Sequence, residues 1–124
     1  MKPNPVGWFE IYVKDMKRAK KFYESVFQCE MKPLTSGPEI DMLAFPMDMT
    51  SVGAGGALAK MEGFTPNGNG VLVYFTSENC AVEEKRVTTA GGKIQKPKTS
   101  IGEYGFITLA IDTEGNMFGI HSRI

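Results

Sequence analysis

Histidine is nearly missing from this chain: His121 is the only one, beside a single tryptophan, Trp8, and two cysteines, Cys29 and Cys80. One imidazole excludes a two-histidine metal site built within one copy of the chain. The two cysteines have no Cys-x-x-Cys spacing and sit in apolar-periodic segments, so they read as free thiols suited to a reducing cytosol. Net charge is missing too, because 14 Lys and Arg are matched by 14 Asp and Glu. Lys17, Arg18, Lys20 and Lys21 do cluster, but on a predicted helix with Glu24 four residues after Lys20. That pattern is a solvated helix face, not a nucleic-acid footprint. There is no long apolar run and no signal-peptide pattern, and the opening from Met1 to Pro5 is polar and Pro-rich. Nucleic-acid and membrane partners are therefore not expected, and a cytoplasmic location is. Gly-x-Gly-x-x-Gly, the phosphate-loop pattern, Gly-x-Ser-x-Gly and His-Glu-x-x-His are all lacking; Gly53, Gly55 and Gly56 are not followed by Lys-Ser/Thr. Nothing places a Ser/His/Asp triad.

What is present is an ordinary globular mix, 42% hydrophobic and 23% charged over 124 residues. This length favours one domain, which should bury roughly 65–70% of its unfolded surface without staples. Residues 8 to 13 alternate: Phe9, Ile11 and Val13 line one face of a strand, and Trp8, Glu10 and Tyr12 the other. Asp15 is a good N-cap, and Met16, Ala19, Phe22, Tyr23, Val26 and Phe27 then recur at helical spacing, predicting an amphipathic helix over 15–27. A short strand near residues 30–32 is stopped by Pro33, and 41–45 and 52–58 are the next strands. The glycines at 53, 55 and 56 predict a bulge or a close backbone approach.

Residues 60–70, rich in Gly, Pro and Asn, read as a linker. After it the order recurs: a strand over 71–76, an N-cap at Asn79, a helix over 79–90 ended by Gly91 and Gly92, a strand leading to Lys96 and Pro97, a strand over 106–111, a turn over 112–116 and a last strand over 117–122. The halves align at a constant offset of 64 residues, the separation of Asp15 from Asn79 and of Lys32-Pro33 from Lys96-Pro97. One domain over 1–124 is thus expected to hold module one, about 5–60, and module two, about 71–124.

A lone βαβββ module leaves a half-covered sheet. Two modules predict an α+β fold: a curved eight-stranded mixed sheet with helices outside and a cleft inside. The helix-facing set is Phe9, Ile11, Val13, Val73, Phe75, Phe118 and Ile120; Trp8, Glu10, Tyr12, Leu72, Tyr74, Thr76, Met117, Gly119 and His121 face the cleft. A half-open sheet in so short a chain leaves apolar rims, so a homodimer is expected.

The opening Val13-Lys14-Asp15-Met16 and the helix Arg-Ala-Lys-Lys-Phe-Tyr-Glu-Ser-Val-Phe from Arg18 resemble the "V-x-D-hydrophobic … A-x-x-FY-x-x-VFG" opening of the glyoxalase/bleomycin-resistance/dioxygenase (vicinal oxygen chelate) superfamily. Gln28 stands where that pattern has Gly. Asp112 to Gly119 resembles its "D-P-x-G-N" turn, with Thr113 in place of Pro. Val73 to Phe75 and Gly102 to Phe106 look like a subgroup of glyoxalase-related predicted enzymes. The resemblance implies the fold more than a reaction, because the fold hosts lyases, thiol transferases, dioxygenases, epimerases and drug-binding proteins. It also implies four cleft-facing metal ligands. By position these fall on Trp8, Leu72, Gly119 and either Gly56 or Leu58, none of which can ligate a divalent ion. No metal or other cofactor is therefore expected.

The remaining candidates are Glu10 and His121, two residues beyond the vacated Trp8 and Gly119. A carboxylate and an imidazole there could orient a ligand or move a proton, and both are expected to face one cleft. The bland readings are a partly solvated wall charge and a surface histidine near the C-terminus. Trp8, Tyr12 and Tyr74, with Leu72 and Met117, are the candidate ligand wall, and Tyr104 between Gly102 and Gly105 is a candidate cover; a filled cleft, a dimer contact and an ordinary hairpin are the alternatives. Met42, Met47, Met49 and Met117 could line an adaptable pocket or simply pack. Cys80 opens a helix, but its repeat counterpart Met16 gives it a packing role. The sequence thus supports a binding protein for a small organic ligand. The alternative is a glyoxalase-related lyase, transferase or dioxygenase-like enzyme with a non-standard site, and a weaker one is a structural subunit with a dead cleft.

Overall fold

A computed structural model describes residues 4–35, 37–64 and 70–124. The chain order is β1 (Val6–Tyr12), α1 (Met16–Phe27), β2 (Lys32–Leu34), β3 (Ile40–Ala44), β4 (Gly55–Met61), β5 (Val71–Thr76), α2 (Cys80–Thr89), β6 (Lys93–Ser100), β7 (Phe106–Ile111) and β8 (Met117–Ser122). This is βαβββ written twice: an α+β fold with two helices and an eight-stranded mixed sheet. The predicted linker residues 65–69 lie outside the described residues.

The chain clusters into two compact units. One is Trp8–Leu72; the other is Met1–Gly7 with Val73–Ile124. In the first, the strand order is β2-β3-β4-β1, with β1 and β4 parallel and the remaining pairs antiparallel. In the second, the order is β5-β8-β7-β6, with β5 and β8 parallel and the rest antiparallel. The two plans are the same, which is what the repeat in the sequence encodes.

The helices open where the sequence places their caps. The Asp15 carboxylate accepts the Arg18 N–H at 3.0 Å, and the Asn79 side chain accepts the Ala81 N–H at 3.0 Å. Each helix covers one face of its own sheet. On α1, Tyr23 meets Phe45 edge-on at 5.7 Å, and Phe45 in turn packs on Phe9 at 5.8 Å. On α2, the Glu84 carboxylate accepts the hydroxyl of the fully buried Thr108 at 2.9 Å and the Lys98 N–H at 2.6 Å. The Cys80 N–H donates to Ser122 Oγ at 2.9 Å, and Ser122 Oγ donates to the Ile124 carbonyl at 2.8 Å. Cys80 is fully buried, in keeping with a packing role.

Four local expectations need correction. The strand expected from 52 starts at Gly55, because the chain turns first. Asp48 accepts from the Thr50 N–H and hydroxyl, and Gly53 takes φ 105°. Pro33 does not stop β2 but lies inside it, and Pro97 lies inside β6. Both are end strands of their unit's order, where a missing N–H costs no ladder bond, and β6 shifts register around Pro97. At Gly56 the close approach comes from the ring of Phe9 on β1, not from another backbone. The α1 stripe also divides: Tyr23 turns inward, while Phe22, Val26 and Phe27 remain 59%, 54% and 64% exposed.

Among the described residues, no helix is long and apolar enough to cross a membrane.

Candidate functional site

Strand alternation fixes which side chains face away from the helices. In β1, Phe9 shares a face with the Phe45 and Tyr23 cluster under α1, so Trp8, Glu10 and Tyr12 occupy the opposite, helix-free face. The register puts Gly55, Ala57 and Ala59 of β4 beside them. These small residues leave room above the sheet. The Trp8 ring and the Met47 sulfur both lie over Gly55, each 3.3 Å from where a Cβ would stand.

Into that space projects Glu10, which is only 7% exposed. Its carboxylate accepts from Trp8 Nε1 at 3.1 Å and from the Tyr12 hydroxyl at 2.8 Å. A carboxylate removed from water costs several kcal/mol unless donors replace its hydration, and both of these neighbours are donors (roughly 1.5–3 kcal/mol for each hydrogen bond to a charged group). The ring of Phe64 meets Tyr12 edge-on at 4.8 Å and steadies the phenol. Residues Trp8, Glu10 and Tyr12 are thus brought together, as the alternation predicted. Phe64 and Met47 complete the group; the sequence offers Met47 as a pocket methionine but gives Phe64 no such place. Phe64 falls in the stretch that reads as linker; its signal is an aromatic side chain just after a strand in an otherwise polar run. Leu72 belongs to the same unit and is buried.

The second unit holds Tyr74, Tyr104, Met117 and His121. Tyr74, Gly119 and His121 share the face opposite the Phe75–Phe118 pair. The Tyr74 ring lies directly on Gly119, so the phenol fills the space a side chain there would take. Met117 and Tyr104 are exposed. The Gly102–Tyr104 segment is a short 3-10 turn between β6 and β7. It reaches His121 through the backbone, with Nε2 2.5 Å from the Tyr104 carbonyl. Of the four methionines read as pocket lining or packing, Met47, Met49 and Met117 are exposed.

A depression of about 340 Å³ lies on the helix side, lined by Val13, Lys14, Asp15, Arg18, Ala19, Phe22 and Tyr23. None of the predicted site residues lines it.

The positions that would hold a metal by family pattern do not fit one. Trp8 and Leu72 carry no donor for an ion, the Gly119 space is taken by Tyr74, and Gly56 and Leu58 are buried on the same face as Phe9. Among the described residues, no three of His, Cys, Asp and Glu gather where they could hold an ion.

Two βαβββ units of identical strand plan define a class of fold, and the family follows from the chain itself. The model of the Glyoxalase/Bleomycin resistance protein/Dioxygenase superfamily matches residues 6–120, and this protein belongs to that superfamily. Among solved structures, methylmalonyl-CoA epimerase of Streptomyces coelicolor in complex with 2-nitronate-propionyl-CoA is similar at 15% identity and a TM-score of 0.70, covering 98% of both chains. A hypothetical protein of Bacillus halodurans is similar at 12% identity and a TM-score of 0.73, covering 99% of this chain and 96% of the other. Methylmalonyl-CoA epimerase of Mycobacterium tuberculosis is similar at 11% identity and a TM-score of 0.69, covering 100% and 93%. These likenesses are of fold. A search of curated proteins gave no match.

Proposed function

We propose that this protein binds a small organic ligand on the helix-free face of its first unit, without a metal or other cofactor. Glu10 orients a donor group of the ligand, and Trp8, Tyr12 and Leu72 supply its walls. One observation carries the reading: a buried carboxylate, held by an indole N–H and a phenol, stands over a row of small residues in β4. Such a group keeps a fixed direction and a fixed position, which orienting a ligand requires. Methylmalonyl-CoA epimerases among the structural neighbours are in complex with 2-nitronate-propionyl-CoA and with methylmalonyl-CoA, so acyl thioesters are the first ligand class to try, followed by simple carbonyl compounds and thiols.

Trp8 is the only tryptophan, so its fluorescence reports directly on this face. Titration of these compounds should change Trp8 emission with saturation. Glu10→Gln should then weaken binding at least tenfold, which corresponds to about 1.4 kcal/mol. Saturable binding that is unaltered in both Glu10→Gln and Trp8→Ala (the latter followed by calorimetry) would remove the site from this face.

The same reading makes the protein a cytoplasmic homodimer. Both cysteines are free, and the exposed Phe22, Val26 and Phe27 of α1 form an apolar stripe of the kind a second copy covers.

The second reading is a glyoxalase-related lyase, transferase or dioxygenase-like enzyme with a non-standard site. It is favoured by His121, whose ring has a defined partner in the Tyr104 carbonyl. Turnover of any of the compounds above, lost in His121→Gln while binding persists, would select it.

A further inference from the structure

We infer that His121 is held as a single tautomer with its proton on Nε2, so that Nδ1 is the basic nitrogen, open to accept a proton from a bound O–H or acidic C–H group. The Tyr104 carbonyl is the positioning group. This inference is independent of the reading of Glu10, because it rests on other atoms in the other unit.

The first step is donor–acceptor logic. A backbone carbonyl only accepts. With Nε2 2.5 Å from the Tyr104 oxygen, Nε2 must carry the hydrogen. A neutral imidazole has one N–H, so Nδ1 keeps its lone pair. Among the described residues, Nδ1 has no hydrogen-bond partner.

The second step is why the carbonyl stays in place. The turn that bears it is closed by the Gly105 N–H donating to the Gly102 carbonyl at 3.1 Å and the Ile101 N–H donating to the Gly105 carbonyl at 2.8 Å. Gly105 takes φ 105° and ψ −128°, a conformation that favours glycine. A Cβ at Gly105 would run into the Ser122 carbonyl and the Arg123 backbone, so the turn is seated on the strand just after His121. The histidine backbone is fixed as well. His121 pairs with Thr76 on one side and Ile107 on the other, and its carbonyl accepts the Ser77 N–H at 2.8 Å.

The third step is the chemistry. When Nδ1 accepts a proton, an N–H bond forms and the ligand's O–H or C–H bond breaks, leaving its electron pair on the ligand. The ring becomes an imidazolium whose Nε2–H still points at a carbonyl dipole. That contact holds the ring in one orientation before and after the transfer, as outer partners do for imidazoles in metal sites and catalytic triads.

Because the chain has one histidine, its ring signals are unambiguous. A long-range proton–nitrogen correlation spectrum of the ¹⁵N-labelled chain, at a pH where the ring is neutral, should show one protonated nitrogen, Nε2, and one unprotonated nitrogen, Nδ1. A mixture of tautomers, or an Nδ1–H ring, would overturn the inference. Bromoacetate then tests access. Carboxymethylation should fall on Nδ1; alkylation mainly at Nε2, or none at all, would overturn it. Gly105→Ala should move the Tyr104 carbonyl and release the second tautomer while the backbone amide spectrum stays folded. Should that variant not fold, Gly102→Ala strains the same turn at φ 76° with no atom in the way of its Cβ. A ring that stays in one tautomer after the turn has shifted would remove Tyr104 from this role.

Discussion

Glu10 in β1 and Tyr74 in β5 stand at matching places in the repeat, each buried, each on the helix-free face, and each beside a small residue of the neighbouring parallel strand, Ala57 or Gly119. In the first unit the small residue leaves space for a carboxylate, whose charge is met by two donors from the same strand. In the second unit the space is closed by an aromatic ring lying on glycine. The backbone plan does not decide between a polar centre and a packed one. The choice is made by one residue in the first strand of the module and by the size of its neighbour in the last. Duplication lets one copy carry charge while the other supplies packing, and the Tyr104–His121 contact adds a polar group to the packed copy without opening it.

That contrast is most easily broken at Gly119. Gly119→Val puts a branched side chain where the Tyr74 ring lies, so the ring must leave its seat. Overpacking of this kind should cost about 3 kcal/mol, read from the midpoint of urea unfolding at an unchanged slope. A neutral result would show that Tyr74 is not seated as described, and the two copies would be less different than they look.

The converse change is Glu10→Ala. It removes the carboxylate that accepts from the Trp8 N–H and the Tyr12 hydroxyl on a partly buried face, and should cost about 2 kcal/mol. Glu10→Gln keeps an acceptor for one donor and should cost less. A gain in stability in Glu10→Ala would mean that burying the carboxylate is a net expense the fold bears for function, which would strengthen the case for a binding role.

Most of this arrangement was legible in the sequence. Asp15 and Asn79 marked both helix starts, the offset of 64 residues between them marked the repeat, and two-residue alternation gave the correct faces for Trp8, Glu10, Tyr12, Tyr74 and His121. What could not be read is distance across strands. Nothing local to Gly119 says that Tyr74 will cover it, because that contact depends on the β5–β8 register. The Tyr104 carbonyl is invisible for a different reason: its role belongs to the backbone, and composition describes only side chains. The exposed half of α1 was missed because helical spacing reports an apolar stripe without saying how much of it the sheet is wide enough to cover.

The units should also differ in acid. Asp15, Glu24 and Asp48 of the first unit are held below the ordinary carboxyl range, chiefly by the Arg18 N–H, the Met31 N–H and the Thr50 hydroxyl respectively. In the second, Asp112 is lowered, chiefly by the Asn116 N–H in its turn. A folded pKa below the unfolded one means that the unfolded chain binds more protons on acidification. The stabilisation is complete above the usual values of 3.8 for Asp and 4.5 for Glu, and is lost as pH falls through the lowered ones. Hydrogen exchange on a descending pH series should therefore show amides of Trp8–Leu72 losing protection before those of the other unit. Simultaneous loss would mean that the two open as one.

The smallest effect separates the two helix ends. After α1 the chain turns at Gln28, with φ 51° and ψ 52°, and after α2 it turns at Gly91, with φ 104°. A left-handed backbone strains any residue with a Cβ, and the superfamily pattern has glycine where Gln28 stands. Gln28 recovers part of that strain, since its side-chain amide donates to the Ser25 carbonyl at 2.7 Å. That bond is exposed, so losing it costs little. Gln28→Gly should therefore stabilise the protein by about 0.5–1 kcal/mol, a rise in melting temperature of a few degrees for a domain of this size. Gly91→Ala should do the reverse by a similar amount, the more so because its Cβ would press on Thr113. Should Gln28→Gly instead destabilise, the Gln28–Ser25 bond would outweigh the backbone strain, and the two helices would end by different means of equal strength.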